Sequence, residues 1–149
     1  MTLATVSGGL PWATDVSFAP QGWNLVILSS PTSRRCRNLA TQPACPVTVH
    51  PPVAARRDIR GVQMEDVVHA AGPIGAMPEM LSHLAGLPFV RDLLANPGIM
   101  ATNMAKVSLH VFTPSRVRDL DDAQGFGSRF LVGFVDGAAV GPPVREPGS

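Results

Sequence analysis

Two turn signals, Gly8-Gly9 and Pro20-Gln21-Gly22, cut the start of the chain into three short segments. Glycine reaches positive φ without strain and proline presets a turn's first corner, so each signal reverses the chain within a few residues. The segments between them read as strands. Leu3–Ser7 is apolar and β-branched. Pro11–Ala19 alternates, with Trp12, Thr14, Val16 and Phe18 on one face and Asp15 and Ser17 on the other. Trp23–Ser29 is apolar almost throughout, the pattern of a strand buried on both faces. Strands joined this tightly are antiparallel, because a parallel pair needs a crossover of about a dozen residues. A doubly wound parallel sheet is therefore excluded.

Further along, Ser30-Pro31-Thr32-Ser33 interrupts the sheet pattern. Ser33 is suited to cap a short helix, Arg34–Ala40, that stops before Pro43. Pro46–His50 reads as a fourth strand and Pro51-Pro52 forces a loop. A long fifth strand runs from Ile59 to about Ala71, and Gly61 inside it marks a bulge or a close approach. Met77–Leu84 and Phe89–Leu94 carry apolar residues at helical spacing and predict two short helices, followed by a turn at Asn96-Pro97-Gly98. Val107–Phe112 is a sixth strand, and Arg116–Leu120 a seventh paired with it through Pro114. The expected fold is mainly β, a six- to seven-stranded antiparallel barrel, closed or half-closed, with a few helices. It forms one domain over residues 1–140, with a flexible Gly/Pro-rich tail at Gly141–Ser149.

Charged residues make up only 15% of the 149, against about 25% in typical soluble domains. Scarce charge on a small domain implies covered surface, and a second copy of the chain is the simplest cover, so a homodimer is expected. A net charge of +1, with no basic run beyond Arg34-Arg35-Cys36-Arg37, argues against a nucleic-acid face. No stretch approaches the roughly 20 apolar residues of a membrane span. Met1–Val6 lacks a basic head and a signal-length apolar run, so a cytoplasmic location is expected.

Cys36 and Cys45 have neither zinc-knuckle nor redox-pair spacing and read as plain reduced thiols. His50, His69, His83 and His110 show no ligand spacing, and no metal is expected. Asp119, Asp121 and Asp122 read as a solvated turn, and Gly125-Phe126-Gly127-Ser128 lacks the Gly-Lys-Ser/Thr ending of a phosphate loop. No Gly-x-Ser-x-Gly elbow of a serine hydrolase occurs.

The oddity lies at the predicted helix start. Arg34, Arg35 and Arg37 crowd the end where the macrodipole is positive and cations are unfavourable, by about 0.3–1 kcal/mol each when exposed. A bound anion resolves the conflict: free backbone N–H groups, the hydroxyls of Ser29, Ser30, Thr32 and Ser33, and the guanidiniums form a phosphate cradle. Alternatively the arginines fan into solvent and Ser33 is only a cap.

Leu3–Val6, Leu28–Arg35 with Asn38-Leu39, Arg60–Glu65 and Gly125–Gly127, in this order and spacing, resemble the pyridoxamine 5'-phosphate oxidase-like FMN-binding split-barrel family. The match is good over residues 3–71 and weaker after Val107. The resemblance implies FMN held across a dimer interface, in a flavin-dependent oxidoreductase acting on a small molecule. It implies that Ser33, Arg34 and Arg35 bind the FMN phosphate and that Ser29 and Ser30 lie beside the phosphate and ribityl chain. It lays the backbone of Thr14, Asp15 and Val16 along the isoalloxazine ring, with Gly61 and Gln63 approaching from the other side. The partner chain closes the pocket, with Phe126 packing there. The resemblance implies no catalytic acid or base by residue. Trp12–Phe18 holds neither Arg nor Lys, which speaks against pyridoxamine phosphate as substrate, and Asp66 stands where relatives usually carry Gly. A non-catalytic flavin or haem binder on the same barrel is the alternative, with His50 as the axial ligand for haem.

Overall fold

A computed structural model describes residues 1–73, 84–85, 90–91, 95 and 106–146. The predicted helices at Met77–Leu84 and Phe89–Leu94 and the turn at Asn96-Pro97-Gly98 lie almost wholly outside them. The elements in order are β1 (Thr2–Ser7), β2 (Leu10–Asp15), β3 (Phe18–Gln21), β4 (Asn24–Ser29), α1 (Arg34–Thr41), β5 (Ala44–Val49), β6 (Arg60–Pro73), β7 (Ser108–Asp121), β8 (Arg129–Val135) and β9 (Ala138–Arg145). All strand pairs are antiparallel. The sheet runs β2-β1-β5-β6-β7-β4-β3, with β8 added to β7 and β9 to β8.

The edges of that order, β2 and β3, are consecutive in sequence and joined by Val16 and Ser17 alone. A two-residue link between opposite edges forces the sheet to curl until its edges nearly meet. No ladder joins them, so the barrel stays split. The single strand predicted over Pro11–Ala19 is thus two, because its halves pair at opposite edges. The Val16 amide donates to the Met1 carbonyl at 2.9 Å, which pins the crossing point.

The inside of the curl is filled by Leu3, Leu25, Ile27, Val47, Met64, Val68, Phe112, Val117 and Phe134, with Val16, Leu39 and Cys45. A smaller core on the outer face gathers Ala19, Val26 and Leu109 with Leu84 and Val90.

Two further predictions need correction. The hairpin expected between Val107–Phe112 and Arg116–Leu120 is one strand, β7. Proline has no amide to donate, yet Pro114 is tolerated because the ladder slips there: Asp66 faces Pro114 and Glu65 faces Arg116, leaving Ser115 as the extra residue of a bulge. The flexible tail expected from Gly141 onward is instead strand β9 as far as Arg145, while residues 147–149 lie outside those described. Pro142 and Pro143 are accommodated because the ladder slips there: Val140 faces Gly133 and Val144 faces Leu131, so neither proline has a paired position to fill. The β8–β9 hairpin was not foreseen, although its Asp136-Gly137 turn, with φ of 51° and 75°, is a strong type I′ signal. No helix among the described residues is long and apolar enough to cross a membrane.

Candidate functional site

The predicted cradle forms where β4 ends and α1 begins. Ser33 is the N-cap, with extended backbone, and its side chain accepts the Cys36 amide at 3.3 Å. The amides of Arg34 and Arg35, at the first two helical positions, have no intrahelical acceptor. Ser29 Oγ lies 3.1 Å from Ser33 Oγ, and Ser30 Oγ lies 2.9 Å from Thr32 Oγ1. The Arg35 Nε donates to Ser29 Oγ at 2.9 Å, and the Arg37 guanidinium donates to the Thr32 carbonyl. Arg34 stacks on the Trp12 ring, 4.1 Å from its centroid. The first turn holds no acidic residue, and none of the three arginines forms an ion pair among the described residues. The arginines do not fan out: two are tied to oxygen acceptors and the third rests on an indole.

Beneath this layer lies a group that sequence reasoning passed over. Cys36 is 7% exposed; its Sγ is 3.2 Å from Ser29 Oγ and 3.6 Å from the Nε2 of His110, on β7. Burial alone would raise this thiol, but hydrogen bonds from His110, Ser29 and Ser33 outweigh it and bring the pKa down to about 7. Cys45, buried in the core without such partners, is pushed up to about 12. The two cysteines read as equivalent are chemically opposite. Helical spacing put Cys36 on the buried face with Leu39, but only the fold brings His110, 74 residues away, against it.

The remaining predicted residues gather elsewhere. Asp15, Thr2, Thr48, Gln63 and Arg118 form one row across five strands. Their neighbours Leu3, Val47, Met64 and Val117 point into the core, so Asp15 and Gln63 face outward. Thr2 Oγ1 donates to Asp15 at 2.7 Å. Thr14 and Val16 share the inner face, Val16 within the core. Gly61 pairs with Leu120, at the opposite end of the β6–β7 ladder from Pro73, Ser108 and Ser29. The fold therefore unites Ser29, Ser30, Ser33, Arg34 and Arg35, but Gly61 and Gln63 stand apart from them. Gly61 also has an internal reason to lack a side chain: an added Cβ would meet the Val49 carbonyl at 2.8 Å and His50 Cβ at 3.1 Å.

Beside Gly61 and Gln63 an apolar cavity of about 320 Å³ is bordered by His50, Val53, Ile59 and Leu120. The Nδ1 of His50 lies 3.2 Å from the Pro51 carbonyl. Phe126 is 82% exposed, with the Arg56 guanidinium 5.6 Å from its ring centroid.

No protein-family model matches the chain, and no curated protein is similar to it in sequence. Solved structures are similar to it in shape. A haem-binding protein from Mycobacterium smegmatis matches with a TM-score of 0.66 and 22% identity over 89% of this chain, which spans about half, 51%, of that protein's length. A pyridoxamine 5'-phosphate oxidase-related FMN-binding protein from Nostoc punctiforme matches with a TM-score of 0.66 and 16% identity, covering 95% of this chain and 86% of that one. PhzG from Burkholderia lata, in complex with tetrahydrophenazine-1-carboxylic acid, matches with a TM-score of 0.63 and 10% identity over 97% and 81% of the two chains. At such identities the likeness is one of architecture: the chain has the split-barrel fold of pyridoxamine 5'-phosphate oxidase-like proteins.

Proposed function

We propose that this chain binds FMN through its phosphate at the start of α1 and serves as a flavin-dependent oxidoreductase for a small molecule. The observation that carries the reading is the cradle: hydroxyls of Ser29, Ser30, Thr32 and Ser33 and three guanidiniums with no carboxylate partner among the described residues, at a positive helix end. These donors fit a dianion. Flavin supplies electron chemistry when bound; the residues of this chain hold the phosphate and orient the ring.

Within one protomer Gly61 and Gln63 stand apart from the cradle. The proposal therefore includes a homodimer in which a second copy brings that face to the ring. No side chain is assigned as acid or base.

FMN and riboflavin titrations test the reading, because riboflavin lacks the phosphate. FMN is expected to bind more tightly. Replacing Arg34 and Arg35 together with alanine should weaken FMN alone, by about 1.5–3 kcal/mol for each charge-assisted bond lost. Equal affinity for the two flavins, or an unchanged double variant, overturns it. A deazaflavin of the F420 type belongs in the same series.

One observation favours haem as a second reading. His50 edges the apolar cavity, and the contact of its Nδ1 with Pro51 leaves Nε2 as a ligating atom. A Soret band lost in His50→Ala would support it.

A further inference from the structure

We propose that Cys36 is a modification site, a thiolate oxidised by small hydroperoxides to the sulfenic acid, and that its oxidation loosens the anion cradle above it. The second clause rests on the phosphate reading; the first does not.

Three observations place the chemistry. Cys36 is the third residue of α1, in the turn where the helix end favours negative charge. Its Sγ is met from β7 by His110 at 3.6 Å and from β4 by Ser29 at 3.2 Å. His110 is itself only 7% exposed, and its Nδ1 has no hydrogen-bond partner among the described residues. A buried N–H without an acceptor costs more than a bare lone pair, so the proton belongs on Nε2, aimed at the sulfur. The only formal charge near the thiol among these contacts is Arg35, one bond removed through Ser29. Histidine, serine and guanidinium all favour the thiolate, and among the described residues no carboxylate opposes them.

The thiolate attacks a peroxide oxygen, an S–O bond forms and the O–O bond breaks. Sulfur is oxidised, the peroxide is reduced, and the departing alkoxide or hydroxide takes a proton from water. At 7% exposure, Cys36 suits a small oxidant such as hydrogen peroxide better than a bulky disulfide. The added oxygen competes for Ser29 Oγ, the atom that holds Arg35 and contacts Ser33.

Cys45 is the internal control. The native protein is treated with limiting hydrogen peroxide across pH 6 to 9, then quenched by denaturation in dimedone and N-ethylmaleimide. Peptides are mapped after cleavage with chymotrypsin, since Cys36 lies between two arginines. Dimedone should mark Cys36 about tenfold or more above Cys45, with a rate rising through pH 7, in line with the thiol's pKa of about 7. His110→Gln should slow marking several-fold, and Cys45→Ser should leave it unchanged. Equal marking of both cysteines, no marking of Cys36, or a rate that rises only near pH 9 overturns the proposal.

In a second arm, FMN and inorganic phosphate are titrated into reduced and oxidised protein. Weaker binding after oxidation, absent in Cys36→Ser, supports the coupling; equal binding refutes it. If the reduced protein binds neither, the phosphate reading and the coupling fall together, while the marking of Cys36 stands.

Discussion

At the level of single residues, three positions show how small differences in surroundings decide a role. Gly61 tolerates no Cβ, because the Val49 carbonyl and His50 occupy the space. Gly61→Ala gives the strand a better former but forces backbone apart, and should cost about 1–3 kcal/mol in urea unfolding. A neutral result would show that β5 and β6 can separate there freely. Cys36 and Cys45 shift in opposite directions. The folded chain gives up the Cys36 proton near pH 7, whereas a free thiol holds it to 9.0. The folded state therefore gains stability from Cys36 as pH rises from 7 to 9, and loses it again on acidification through 7. Wild type should gain on the order of 1–2 kcal/mol over Cys36→Ser between these two pH values. Cys45, whose thiol is pushed up to about 12, costs stability as pH rises through 9.0, equally in both proteins, so it cancels from the comparison. A flat difference across pH 7–9 would contradict the hydrogen-bonded thiolate.

Among the elements, α1 and β9 are held by different means. α1 is anchored from below: Asn38 Nδ2 donates to Thr5 Oγ1 at 2.9 Å, and that hydroxyl, fully buried in β1, lies 3.3 Å from the Trp12 carbonyl. β9 has an exposed surface throughout and is fastened at its end. There Arg118 donates to both oxygens of Glu146, at 2.6 and 3.1 Å, and also faces Glu65, while the Glu146 amide bonds the Arg129 carbonyl. The Arg118 hydrogen bonds hold the Glu146 carboxyl below its ordinary range, so the clasp persists at neutral pH and opens as acid titrates it. Glu146→Gln should speed amide exchange across Ala138–Arg145 while leaving β6 and β7 unchanged. Unaltered exchange would mean that the ladder alone holds β9.

For the whole molecule, the consequential fact is that both edges of the curled sheet are sequence neighbours, so the barrel nearly closes yet keeps a seam. Exposed apolar side chains, among them Leu10, Val135, Val140 and Val144, agree with the low charge in calling for a covering partner. Light scattering at micromolar concentration should give twice the 15.7 kDa of one chain. A monomeric mass would remove the shared pocket from the functional proposal, though not the cradle.

The sequence by itself determined the local features. Gly8-Gly9 and Gly22 made the turns, Ser33 capped α1, and the serines and arginines of residues 29–37 fell into one cluster, because each depends on neighbours a few residues away. What the fold alone decided were relations across long separations: the bulge that lets Pro114 stay within one strand, the carbonyl that crowds Gly61, the separation of Gln63 from the cradle, and the placing of His110 against Cys36. Turn and cap propensities are written in consecutive residues. Register, curl and the electrostatic surroundings of a buried group arise only once distant strands share one core.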